Sequence, residues 1–201
     1  MSALVQPADL LTFWFGDADP AAAVAPNFAR WFGGGPEFDA EVRARFGPTL
    51  DLALQGRLGG WLAHPPSLLA FVVLVDQFPR NAHRGSAQAF AWGPMGLAAA
   101  LLAIESGADR AMGLYQRSFL YLPLEHTEDA AIQAQVVAAY TELVALAEGA
   151  DRGVIASMLD HAQKHQAVIA RFGRFPTRNA ALGRESTPEE LEFLASPARY
   201  P

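Results

Sequence analysis

Leu10, Leu11, Trp14 and Phe15 recur at helical spacing between Pro7 and Gly16. The pattern predicts a short helix, with proline in its first turn and glycine at its end. Asp17 to Pro26 reads as a loop, and Asn27 to Phe32 as a short helical turn broken by Gly33-Gly34-Gly35. Pro36 and Glu37 open a second helix, with Phe38, Val42, Phe46 and Leu50 along one stripe and an end near Gly56. The run Leu68 to Val75 is apolar throughout, so periodicity alone does not separate a buried strand from a buried helix. No other segment offers a partner strand, and a lone strand leaves its backbone groups unpaired. A central helix closed by Pro79 follows. Gly93 to Ser106 reads as an alanine- and leucine-rich helix ended by Gly107. Thr127 reads as the N-cap of a helix carrying Ile132, Val136, Tyr140 and Leu143. Gly153 to Phe172 repeats the pattern, and Ser186-Thr187-Pro188 opens a last short helix. The fold class is all-α.

No internal repeat or low-complexity tract is visible. Gly149-Ala150-Asp151 is the best candidate boundary, but the ~50 residues beyond it would form a marginal domain alone. Residues 1–201 are therefore expected to form a single all-α domain. The 51% hydrophobic and 18% charged shares of the 201 residues suffice for a sizeable core and exclude disorder. The absence of cysteine excludes disulfides, thiol nucleophiles and zinc–thiolate sites. A net charge of −6 argues against nucleic acid and anionic membrane as partners. The N-terminus has no signal-peptide pattern, and Leu68 to Val75 is far short of a membrane span. A cytoplasmic protein is expected. Lys164 is the one lysine among fifteen Lys and Arg residues, and arginine suits bidentate anion contacts.

Three polar stretches interrupt the apolar pattern. The first holds Asp76, Arg80, Asn81 and Arg84; an acid directly after so apolar a run needs a partner if buried. The second, from Arg117 to Asp129, places Glu125 and His126 just before the expected helix N-terminus, where an anion or carboxylate is favoured. His126 is its best proton carrier. The third carries His161 and His165, then Arg171, Arg174, Arg178, Asn179 and Arg184. The two histidines share a helical face, a spacing that can chelate a metal, but the His-Glu-x-x-His pattern is absent. Without a third spaced ligand, no bound metal or other cofactor is expected. The arginines could bind phosphate or carboxylate, or could neutralise the acids of the other two stretches. Phosphate-loop and nucleophile-elbow motifs are missing. The aromatic residues Trp14, Phe15, Trp31, Phe32 and Trp61 read as core.

Phe13-Trp14-Phe15-Gly16, Trp31-Phe32, Asp76-Gln77-Phe78-Pro79-Arg80-Asn81, the run Tyr121 to Asp129 and the block Arg174 to Asn179 resemble the bacterial "domain of unknown function 924" family. The matching segments keep the family's order over nearly the whole chain, to Ser186-Thr187-Pro188-Glu189-Glu190. The resemblance implies an all-α helical array similar to tetratricopeptide-repeat proteins, without a clear sequence repeat, and implies no established activity. Thr177 stands where the family usually has histidine, so a mechanism needing an imidazole there does not apply.

Three readings remain. The polar stretches converge on a site for a small anionic molecule, with Glu125 and His126 as acid–base residues. Asp76, Arg80, Asn81, Arg84, Arg117, Asp129, His161, His165, Arg174, Arg178 and Asn179 would then be ligand-binding. Alternatively the chain is a scaffold that holds an acidic peptide in a groove, without catalysis. In the third reading these groups pair internally and specify packing. Composition does not decide whether the chain is an enzyme, nor its oligomeric state.

Overall fold

Among the described residues proline stands in the first turn of α-helices beginning at Pro7, Pro36, Pro65, Gly93 and Pro188, and glycine closes several helices. In the computed structural model, which describes residues 4–196, Pro7 opens α1 (Pro7–Phe15) and Gly16 closes it in the left-handed region at φ 89°. The short α2 (Phe28–Trp31) is capped by the Asn27 side chain. Pro36 opens α3 (Pro36–Leu54) and Pro65 opens α4 (Pro65–Ala82). α5 (Gly93–Glu105) and α6 (Leu114–Glu125) follow, then α7 (Ala130–Leu146), α8 (Gly149–Phe172), α9 (Asn179–Leu182) and α10 (Pro188–Ala195). Short 3₁₀ turns link some of them, and no strand occurs among the described residues.

The chain divides into two compact units, one of Met1–Arg84 with Gln88–Pro123, the other of Gly85–Ala87 with Leu124–Pro201. In the first, α4 is central because it is apolar around its whole circumference from Leu68 to Val75, and such a helix must be covered on all sides. α1, α3 and α5 pack on it. The aromatic residues of α1 knit this core together: Phe13 meets Phe46 at 4.8 Å, Trp14 meets Phe78 at 5.4 Å, and Phe15 meets Phe119 at 5.5 Å. Trp31 joins by donating its indole N–H to the Trp14 carbonyl at 2.9 Å. Phe32, expected in the core, is exposed.

Several boundaries differ from the sequence reading. α4 does not stop at Pro79 but continues to Ala82, since a proline forfeits one backbone bond and the next turn restores the ladder with His83 N–H donating to the Pro79 carbonyl. α6 has no counterpart in the sequence reading. The stretch Ala87–Glu105, longer than the Leu68–Val75 run, has the length and mean hydropathy, 1.5, of a membrane span. It is folded here as a 3₁₀ turn followed by α5, whose Ala99, Ala100 and Ala103 are buried.

In the second unit α7 and α8 form a hairpin joined by Ala147 and Glu148. Val136, Tyr140 and Leu143 bury one stripe of α7, while Ile155, Ala162, His165 and Ile169 bury one of α8. Gly149-Ala150-Asp151, the candidate boundary, is the first turn of α8. Beyond Gly173, Phe175 packs with Val168 and Ile169, and Phe172 and Phe193 cover them.

Candidate functional site

Glu125 is the last residue of α6, and α7 starts only at Ala130. The N-cap is Asp129, not Thr127: the Asp129 carboxylate accepts from the Ala131 and Ile132 amides at 2.8 and 3.0 Å. His126 therefore lies in the turn after a helix C-terminus rather than against a helix N-terminus. Two residues between the expected and actual caps account for the difference, since aspartate caps at least as well as threonine. The C-terminal carbonyls of α6 are met by the fully buried Gln133, whose amide donates to the carbonyls of Glu125 (2.7 Å) and Thr127 (2.8 Å).

His165 projects from α8 into the same place. Its Nδ1 lies 3.0 Å from Glu125 Oε1 and 2.9 Å from the His161 carbonyl oxygen. Both partners are acceptors, so the proton of the neutral ring belongs on Nδ1. Glu125 and His165 are each 4% exposed. The His126 ring stands 6.2 Å from that of His165, and the Phe175 ring meets His165 edge-on at 5.4 Å. Arg178 donates to the His126 carbonyl at 2.9 Å, with its guanidinium 4.2 Å over the Phe175 ring. His161 contributes its backbone to this cluster, and its side chain is exposed.

The other arginines of the third stretch are engaged internally. Arg184 grips Glu128 through two bonds of 2.7 and 3.0 Å, and also reaches Asn179 and the Phe175 carbonyl. Arg174 donates twice to Glu190, at 2.6 and 2.8 Å. Asn179 bridges Ser186 and Glu190. Glu128 and Glu190 were not among the site residues expected from sequence, although Thr187-x-x-Glu190 is a capping box and both of its reciprocal bonds form. Arg171 pairs with Glu189 on the surface. Within the second unit the second and third polar stretches thus meet.

Burial alone would raise the Glu128 carboxyl, but the bonds from Arg184 and the Phe175 amide, with the charges of Arg184 and Arg178, lower it. The two Arg174 bonds, helped by the Thr187 amide and Asn179, hold Glu190 at about 2, below the ordinary 4.5. A carboxyl lower in the folded than in the unfolded chain stabilises fully above the ordinary value, and that stabilisation is lost as pH falls through about 2. Amide exchange in α10 should therefore accelerate relative to α7 between pH 4.5 and 2, and Glu190→Gln should remove the difference. Equal acid responses of α7 and α10 in the unsubstituted chain would refute this.

The remaining candidates lie in the first unit. Asp76 is buried, accepts from Gln77 at 2.6 Å and stands 3.7 Å from Arg80. Arg84 forms a bidentate pair with Asp39 and a third bond to Asn81. Arg117 pairs with buried Asp109 at 3.1 Å and with Tyr121, which itself donates to Asp109. Burial and the Asp109 bond hold the Tyr121 phenol well above its usual range, so it stays a neutral donor. Among the described residues, no three His, Asp or Glu side chains are grouped to hold a metal ion.

The family model described as "Bacterial protein of unknown function (DUF924)" matches residues 10–198. A solved protein of unknown function from Agrobacterium tumefaciens is 37% identical, with a TM-score of 0.79. The likeness covers 94% of this chain and 96% of that one. No curated protein matches.

Proposed function

The chain belongs to the bacterial DUF924 family, and since neither the family's description nor the Agrobacterium protein's states an activity, we propose a function from its own side chains. It binds a small anionic molecule beside His126 and Arg178, and the Glu125–His165 pair exchanges a proton with it. The observation that carries this is the buried carboxylate 3.0 Å from His165 Nδ1. A carboxylate in that position fixes the ring and its tautomer and stabilises the imidazolium that forms on proton uptake, the arrangement general acid–base transfer requires. Arg178 supplies positive charge where it is anchored to His126. Arg174 and Arg184 are committed to Glu190 and Glu128, which suits a small anion of low charge rather than a highly charged one. The same commitments leave the acidic-peptide groove with less support.

The test is an NMR titration of isotopically labelled protein with inorganic phosphate and with acetate at millimolar concentration. Saturable shifts are expected at His126, His165 and Arg178. In His126→Gln they should vanish while the melting temperature stays within a few degrees, as for a surface change of ~0.5 kcal/mol. Absence of saturation in the unsubstituted protein, or unfolding of His126→Gln, would sink the proposal.

A further inference from the structure

A cleft of about 310 Å³ opens on the first unit between α3 and the C-terminal end of α4. That is the small end of the range for ligand pockets, roughly 300–1,000 Å³. Its lining is mostly apolar, from Val42, Phe46, Leu50, Phe78 and Ala82, with Arg43, Asp51 and His83 as its polar members. Gly47 and Pro48 leave one wall without a long side chain, and a Cβ on Gly47 would meet no atom within 4 Å.

Arg43 is held in place. Its Nε and Nη2 donate to the Ala82 carbonyl at 3.2 and 2.9 Å, beside the C-terminus of α4. A guanidinium already fixed by two bonds to one carbonyl oxygen loses little freedom on binding a further acceptor. Asp51 follows Arg43 by two helical turns, about 12 Å along α3 at ~1.5 Å per residue. One end of the cleft is therefore positive and the other negative, over an apolar floor.

We propose that this cleft binds a small apolar monocarboxylate, its carboxylate on Arg43 and its body against Phe46, Phe78 and Leu50. Asp51 rejects a second carboxylate at the far end. This site is separate from the one at His126, and its occupancy does not depend on that reading.

The probes are phenylacetate, its neutral carboxamide and the para-diacetate, followed through the methyl resonances of Val42 and Leu50. Phenylacetate should bind saturably, and the carboxamide and the diacetate each about fivefold or more weakly, since a charge-assisted bond is lost or a like charge introduced. Arg43→Met should reduce phenylacetate to the level of the carboxamide. Asp51→Asn, an exposed change that leaves the packing alone, should raise the diacetate to the level of phenylacetate. His126→Gln should alter none of these. Equal binding of acid and amide, no saturation of the methyl shifts, or a diacetate unaffected by Asp51→Asn would each overturn the proposal.

Discussion

Replacing His165 by leucine should destabilise the protein by about 3–5 kcal/mol, the usual effect of leaving a buried carboxylate without its partner. Leucine fills much of the imidazole's volume, so the loss would not come mainly from a cavity. It would come from Glu125, only 4% exposed and 3.0 Å from the ring that is removed. Glu125→Gln should be much milder, about 1 kcal/mol, because the amide oxygen still accepts the Nδ1 proton. Denaturant midpoints at an unchanged m-value measure both. A His165→Leu effect below about 1 kcal/mol would mean that buried Glu125 does not depend on the imidazole as its partner. The stability cost at His165 is why ligand binding is best read through the half-buried His126 instead.

Trp14→Ala should cost about 3–5 kcal/mol, as large-to-small changes at buried aromatic sites do. Its ring is fully buried and touches Phe78 at 5.4 Å and Phe119 at 5.6 Å. Trp14→Phe should cost less than about 1.5 kcal/mol, because the Trp14 indole N–H is buried without an acceptor and its removal offsets some lost packing. Trp31→Phe should cost more than Trp14→Phe, since it takes the donor from the Trp14 carbonyl. Thermal or denaturant unfolding gives the order directly, and the reverse order for the two phenylalanine variants would contradict it.

The helices that were legible in sequence are those whose breakers and caps sit at their ends. α1 runs from Pro7 to Gly16, and α10 follows a Thr187 cap with Pro188 in its first turn. α6 was illegible because Gln116, Arg117 and Ser118 look like surface and Pro123 looks like a stop. All three polar residues are buried, and each is bonded: Gln116 to the Ala22 carbonyl, Arg117 to Asp109 and Ser118 to the Leu114 carbonyl. Partners so placed are invisible to local periodicity, since Ala22 lies 94 residues from Gln116. The site shows the same limit. The spacing of His161 and His165 put them on one helix face, but not that only His165 turns inward or that Glu125 receives it. Arg184 and Glu128, 56 residues apart, could be matched by charge alone but not assigned to each other.

The most direct measurement is the ¹⁵N spectrum of the His165 and His126 imidazoles across pH, without and with inorganic phosphate. Neutral His165 is expected to carry its proton on Nδ1, and phosphate is expected to shift both rings saturably. A neutral His165 protonated on Nε2, or rings indifferent to phosphate in the folded protein, would contradict this reading.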